Sequence, residues 1–288
     1  MLYSPFPRVL NIQTVSACNA GCSICPHSSV QGIIPKGFME DSLFKKIISE
    51  IPYDWGIRIL LYLNSEPFLD PMLVSRLSYI NEHLPDTEVE ISTNMSLVGS
   101  EIRSLVQQSV YLKEWKMSVF GFTPSTYKKL MPGLKWEQVR QNIDSFVVDK
   151  EIRSRIGQVS LVMIDCDDIT PEDLDLARSF CKEHFVKFEY WGFLDRAGNV
   201  PQRSNNVFHP KVSGCEQHRP IEQMHIMHTG EVILCCQDWK WTHRLGDLKQ
   251  NTLTEIWHSE SFQKAREDVY QRNEYHPLCS HCKLAIPG

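Results

Sequence analysis

The chain has 288 residues, ten of them cysteine, and a formal net charge of -5 at pH 7. That length allows one large domain, or a large one with a small one, and the net acidity offers no cationic footprint for nucleic-acid phosphates. No stretch is apolar for long enough to span a bilayer, and Met1-Leu2-Tyr3-Ser4-Pro5-Phe6-Pro7 has neither a basic nor a long apolar targeting segment, so the expectation is a soluble cytoplasmic protein without membrane or nucleic-acid partners.

The first apolar run, Val9 to Thr14, predicts a strand. It leads into Ser16-Ala17-Cys18-Asn19-Ala20-Gly21-Cys22-Ser23-Ile24-Cys25-Pro26. Three thiolates at C-x3-C-x2-C spacing can hold three corners of a four-iron, four-sulfur cubane and leave the fourth iron without a protein ligand. Part of a zinc site, or plain buried thiols, are the competing readings of three close cysteines. In a reducing compartment ten cysteines point to metal or redox chemistry rather than to a disulfide framework.

Alternating strand and helix patterns then run to about residue 195. The further predicted strands are Ile57 to Leu63, Glu88 to Ser92, Trp115 to Phe120, Val159 to Ile164 and Lys187 to Trp191. The predicted helices are Asp41 to Glu50, Pro71 to His83, Gly99 to Gln108, Thr123 to Met131 with Trp136 to Val147, and Pro171 to His184. Asp70-Pro71 and Thr170-Pro171 each place an N-cap residue before a first-turn proline. Six strand and helix units fit a partial barrel, whose ligands sit beyond the carboxyl ends of the strands. Residues just past those ends are Glu66 in Asn64-Ser65-Glu66-Pro67, Asn94 in Ser92-Thr93-Asn94-Met95, Cys166 in Ile164-Asp165-Cys166, and Arg196 in Asp195-Arg196-Ala197-Gly198; Ser118 lies late in the fourth strand. A solvated loop Glu, a core Ser, an inert thiol and a surface turn are the plain structural readings of Glu66, Ser118, Cys166 and Arg196.

After a polar stretch from Pro201 to Ser213 comes a second cysteine set: Cys215, Cys235 and Cys236 beyond Gly230, then Cys279 and Cys282. A turn at Gly230 joins two predicted hairpin strands and delivers Cys235. Four of these cysteines, Cys215, Cys235, Cys279 and Cys282, are enough to ligate a second cubane with no open iron, which suits electron transfer. A four-cysteine zinc with the same ligands is the alternative, and His276 and His281 are nearby substitutes. Cys181, inside a predicted helix, reads as a small buried hydrophobe.

The first motif resembles that of the radical S-adenosylmethionine superfamily. The second set, in order with Leu245-Gly246-Asp247-Leu248 and Glu255-Ile256-Trp257-His258, resembles the auxiliary-cluster module called SPASM or twitch. The resemblance implies a partial (β/α)6 TIM-like barrel over residues 1–199 and a small C-terminal auxiliary domain, with a β-hairpin and a helix, over residues 200–288. It implies S-adenosylmethionine and two 4Fe-4S clusters as cofactors: Cys18, Cys22 and Cys25 on one, Cys215, Cys235, Cys279 and Cys282 on the other. By the same resemblance Glu66 accepts a hydrogen bond from the methionine amino group, Ser92, Asn94 and Ser118 contact ribose hydroxyls or the methionine carboxylate, and Arg196 contacts substrate hydroxyls. Met95 stands where the family carries glycine.

The proportions are similar to those of the small aminocyclitol dehydrogenases of antibiotic biosynthesis. That resemblance implies cleavage of S-adenosylmethionine to a 5'-deoxyadenosyl radical, hydrogen abstraction from a polyol, sugar or aminoglycoside-like substrate, and oxidation aided by the auxiliary cluster. An external one-electron reductant such as flavodoxin or ferredoxin would complete the system. Three other outcomes stay open: epimerisation with Cys166 or Cys236 as hydrogen donor, modification of a ribosomal peptide, and a non-catalytic zinc protein. The lack of a leader-binding domain before the core counts modestly against the peptide.

Overall fold

Parallel strands covered on both faces need long apolar runs, and the chain's strands have them: Leu10, Ile12, Ile59, Ile91, Met117, Leu161 and Met163 are all fully buried. The computed structural model describes residues 3–99, 105, 110–200 and 207–288. Strands β1 (Val9–Ile12), β2 (Arg58–Leu60), β3 (Glu88–Thr93), β4 (Leu112–Ser118), β5 (Ile156–Asp165) and β6 (Lys187–Gly192) alternate with helices α1 (Asp41–Ser49), α2 (Leu73–His83), α3 (Pro124–Leu130), α4 (Trp136–Val148), α5 (Lys150–Arg153) and α6 (Pro171–Glu183). Strands β7 (Val212–Cys215), β8 (Gln223–Ile226), β9 (Glu231–Ile233), β10 (Arg244–Asp247) and β11 (Ala285–Pro287) follow, with helices α7 (Arg219–Glu222), α8 (Leu253–Trp257) and α9 (Glu260–Tyr270) among them. The class is mixed α/β with parallel strands, as expected of a partial TIM-like barrel with a small C-terminal hairpin-and-helix part. The predicted helix Gly99 to Gln108 lies outside the described residues, apart from Gly99 and Leu105.

Two compact units divide the chain. One comprises Met1–Ser16, Ile24–Asn64 and Leu194–Gly288; the other comprises Ala17–Ser23 and Ser65–Phe193. In the first, β1 pairs in parallel with both β2 and β8, and β8, β9 and β10 form an antiparallel meander. Gly230, at φ 95°, turns the chain between β8 and β9, a left-handed conformation that costs glycine little. Helix α1 joins this unit's later part: Glu50 accepts from the Leu253 N–H at 2.7 Å, and Lys46 donates to the Asn251 carbonyl at 2.8 Å. Arg266 is buried with its guanidinium 3.6 Å from the Tyr3 ring centroid and 4.1 Å from those of Trp257 and Phe262. It also donates to the carbonyls of Pro220 and Trp257, so planar stacking and hydrogen bonds stand in for a carboxylate.

In the second unit β3, β4, β5 and β6 pair in parallel in sequence order. Thr170 caps α6 before Pro171 as expected, and Asp173 completes a capping box with it. Asp173 is fully buried and does more: it accepts from the Phe122 and Thr123 N–H groups at 2.8 and 2.7 Å and from the Thr126 hydroxyl at 2.8 Å. The start at Asp70 is a correction. Helix α2 begins at Leu73, because Asp70 accepts the Met72 N–H at 2.9 Å and pairs with buried Arg76 at 3.4 Å instead of capping a turn at Pro71. Strand β4 likewise starts at Leu112, three residues before the sequence pattern suggested, and ends at Ser118.

Candidate functional site

The cysteine loop Ala17–Ser23 is pinned by its backbone. Gly21 N–H donates to the Pro132 carbonyl at 2.9 Å and Ser23 N–H to that of Leu130 at 3.0 Å. A Cβ on Gly21 would stand 3.3 Å from the Pro132 oxygen, so the close approach favours glycine. The Ala17 carbonyl accepts from the Glu66 N–H at 3.0 Å, which ties this loop to the Glu66-Pro67 turn. Cys18 and Cys22 are partly exposed in this unit. Cys25 belongs to the other unit, just before the turn Pro26–Val30; burial pushes its thiol up, while a backbone hydrogen bond at His27 and the Arg196 cation pull the other way. None of the ten cysteines is in a disulfide, so both cysteine sets retain thiols able to ligate iron.

Glu66 is 2% exposed and surrounded by donors. Its Oε1 accepts from the Thr93 hydroxyl at 2.7 Å and the Phe68 N–H at 3.2 Å, and its Oε2 from the Asn94 N–H at 2.8 Å. Pro67 opens the turn Pro67–Leu69 that Glu66 caps, which swings the carboxylate toward the end of β3. Burial pushes Glu66 up to about 7 against those three hydrogen bonds, which favour the charged form. The Asn94 side chain donates to Asn19 Oδ1 at 2.9 Å and accepts from Ser96, so the cysteine loop and the end of β3 share one polar ring. Ser92 on β3 and Ser118 at the end of β4 have their hydroxyls 3.0 Å apart. The structure therefore brings Glu66, Ser92, Asn94 and Ser118 together in one unit with Cys18 and Cys22.

Met95 keeps the backbone that glycine would supply. Its φ is 64°, in the left-handed region, and the side chain is fully buried with its sulfur accepting from Trp115 Nε1 at 3.4 Å. Left-handed backbone costs an L-residue about 1–2 kcal/mol, which burial of the thioether offsets. Cys166 follows β5 and lies near Tyr190, whose hydroxyl donates to Asp165 at 2.7 Å. Cys181 is buried in α6, where burial pushes its thiol up to about 12, as an inert core residue requires.

In the first unit, Cys215, Cys235, Cys279 and Cys282 line one cavity with Arg219, Gln237 and Leu278. Two pairings converge them. Strand β11 runs antiparallel to β7, setting Ala285 beside Cys215, and the turn from Cys279 closes with the Cys282 N–H on the Cys279 carbonyl at 3.0 Å. This β7 and β11 ribbon was not foreseen, since three- and four-residue strands carry little periodicity. His276 is not placed as a ligand: its Nδ1 accepts from the Leu278 and Cys279 N–H groups at 3.2 and 3.1 Å, anchoring the C-x-x-C turn. His281 packs on Phe208 and Tyr275.

Four thiols around one cavity are a donor set that a 4Fe-4S cluster takes, one thiolate to each iron.

Cys236, next in sequence, does not line the cavity but is close to Arg219 and His225. Arg196 has φ 55° and begins a left-handed run through Ala197 and Gly198. Its Nη1 lies 3.3 Å from the Gln237 amide oxygen when that oxygen faces the guanidinium groups, and Arg219 Nη1 lies 3.2 Å from the same atom. Sequence reasoning missed Arg219 and Gln237; their only signal is proximity to Cys215 and Cys235 along the chain.

Residues 12–148 match the family model described as the radical SAM superfamily, and residues 215–283 match the iron-sulfur cluster-binding domain SPASM. A curated relative, GTP 3',8-cyclase of Sulfurovum sp. (strain NBC37-1), is 22% identical over 190 residues, 65% of this chain and 55% of its own length; the chain thus spans about half of that relative. Among solved structures, BtrN in complex with AdoMet and 2-DOIA superposes with TM-score 0.65 at 17% identity, over 96% of this chain and 93% of that one. Streptococcus suis SuiB bound to precursor peptide SuiA superposes with TM-score 0.72 at 14% identity, over 98% of this chain and 71% of that one. At such identities these are likenesses of fold. The two domains imply S-adenosylmethionine, a 4Fe-4S cluster and an auxiliary iron–sulfur site. Among the described residues no helix is long and apolar enough to cross a membrane.

Proposed function

On the premise that this chain carries a radical S-adenosylmethionine domain and a SPASM iron–sulfur domain, we propose that it oxidises a hydroxyl-bearing carbon of a polyol, sugar or aminoglycoside-like molecule. Its domains would be residues 1–199 for the radical core and 200–288 for the auxiliary part. When bound, the two clusters supply an electron that cleaves S-adenosylmethionine to a hydrogen-abstracting 5'-deoxyadenosyl radical, and a place for the second electron that the substrate gives up. Cys18, Cys22 and Cys25 would hold the first, and Cys215, Cys235, Cys279 and Cys282 the second.

The remaining roles belong to the chain itself. Glu66, already fixed by three donors, offers its carboxylate to the methionine amino group. Ser92 and Ser118 offer paired hydroxyls to ribose, with Asn94 on the carboxylate side. Arg196 orients substrate hydroxyls, and its link to Gln237 ties it to the auxiliary hairpin. The hydroxyl proton leaves to solvent as the ketone forms. An external one-electron reductant such as a flavodoxin or ferredoxin would supply the electron for cleavage, and the oxidised form of such a carrier would take the substrate's electron from the auxiliary cluster.

The observation that carries this reading is the four-thiol cavity, which offers a complete ligand set with no open position. The test is iron and acid-labile sulfide in the anaerobically reconstituted Cys18, Cys22, Cys25→Ala triple variant. Retention of about four irons per chain, the content of one cubane, is expected. Zinc in place of iron removes the electron acceptor and the oxidation with it.

Cys236 favours a second reading, because it is a spare thiol beside the auxiliary ligands. Returned to the opposite face of a substrate radical, its hydrogen atom makes the net reaction an epimerisation; Cys166 is the other thiol at a strand end. Solvent deuterium on the product carbon would mark that course, and a ketone without it the oxidation.

A further inference from the structure

Arg219 brings a buried cation to the auxiliary cavity. Its Nη1 donates to Cys235 Sγ at 3.9 Å, and the Gln237 backbone N–H donates to the same sulfur at 3.3 Å. With its amide oxygen facing the guanidinium, Gln237 accepts from Arg219 Nη1 at 3.2 Å and holds it in that place. Cys215 and Cys235 line the cavity beside it. Desolvating a cation here has no use for the core, which Leu234, Leu278 and Ala285 already close with apolar side chains.

A four-thiolate cluster becomes one unit more negative on reduction, so a fixed cation beside it stabilises the reduced form more than the oxidised one. Hydrogen bonds to ligand sulfur act in the same direction, and both count for more away from bulk water. We propose that Arg219 is a positioning residue that raises the reduction potential of the cluster held by Cys215, Cys235, Cys279 and Cys282, through its donation to Cys235 and its charge against the thiolates. This rests on the assignment of an iron–sulfur cluster to those four cysteines. It adds a reason why that site accepts an electron from a substrate radical instead of holding one at low potential.

The test is a potentiometric titration followed by electron paramagnetic resonance, in the Cys18, Cys22, Cys25→Ala background so that one cluster reports. Arg219→Gln is expected to keep iron and sulfide at the background level and to move the midpoint to a more negative potential; Arg219→Lys, which keeps the charge, should move it less. An iron-replete Arg219→Gln variant with an unmoved midpoint overturns the proposal. If Arg219→Gln holds no iron, Gln237→Leu carries the test: it frees the guanidinium from its place beside Cys235, so a more negative midpoint supports the proposal and an unchanged one overturns it. A background protein without iron fails the cluster assignment itself, and the iron count separates that result from a failure of Arg219 alone.

Discussion

Glu66 Oε2 accepts the Asn94 backbone N–H at 2.8 Å, so the carboxylate that follows β2 is tied to the end of β3. Burial nonetheless raises Glu66 from 4.5 to about 7. The folded chain therefore binds this proton more tightly than the unfolded one, and the associated stability is full below pH 4.5 and lost as pH rises through 7. Glutamine presents an NH2 to one of the three donors and loses that hydrogen bond at every pH, but the stability of Glu66→Gln relative to wild type should rise between pH 5 and 8, by up to about 3 kcal/mol. Urea unfolding of the metal-free protein at several pH values measures it. Parallel pH profiles for the two proteins would refute the coupling.

Asp173 shows the opposite balance. Burial pushes its carboxyl up, but hydrogen bonds from Thr170, Thr126 and Phe122 outweigh this and hold it below the usual carboxylate range. Its stability is present above the unfolded value near pH 4 and lost as pH falls below it. Asp173→Ala should cost about 3 kcal/mol, because it strips acceptors from the Phe122 and Thr123 N–H groups and from the Thr170 N–H and hydroxyl at the α6 cap at once. Chemical denaturation at pH 7 checks the size, and a cost below about 1 kcal/mol would mean water replaces the carboxylate.

Met95→Gly separates backbone strain from packing. Glycine removes the left-handed penalty of about 1–2 kcal/mol, yet it empties a fully buried thioether site and leaves Trp115 Nε1 without its sulfur acceptor. The second effect is the larger, so the glycine variant should be less stable by about 1–3 kcal/mol although its backbone fits better. A rise in melting temperature would show that strain dominates.

Much of this was legible in the chain. The strand and helix alternation, the hairpin at Gly230 and the Thr170 cap all follow from apolar periodicity and local hydrogen-bonding chemistry, which act over a few residues. Asp70 misled because the same dipeptide signal was captured by Arg76, a tertiary partner that no spacing rule weighs. Met95 looked like a break in a glycine turn, but a buried methionine can occupy left-handed backbone when its side chain is well placed. Arg219 was illegible for a related reason: an arginine before a proline is ordinary until β7, β9 and the terminal turn are brought around it. Thr93 stood inside a quoted motif, but its hydroxyl bond to Glu66 appears only once β3 is placed.

His276 gives the last prediction. Burial lowers its imidazole to about 4, with the neighbouring His243 adding to the effect, so the ring stays neutral at physiological pH and its Nδ1 remains an acceptor for two N–H groups of the C-x-x-C turn. The folded value is depressed, so the stability it contributes is present above pH 6.5 and lost as pH falls toward 4, by up to about 3 kcal/mol. His276→Ala leaves the Leu278 and Cys279 N–H groups without that acceptor and should loosen Cys279 and Cys282, two of the four ligands proposed for the auxiliary cluster. In the Cys18, Cys22, Cys25→Ala background, iron per chain should then fall, while His276→Asn, which restores an acceptor oxygen, should recover part of it. Full iron in the alanine variant would mean that the β7 and β11 ribbon alone positions Cys279 and Cys282, and that the histidine serves only the packing beneath them.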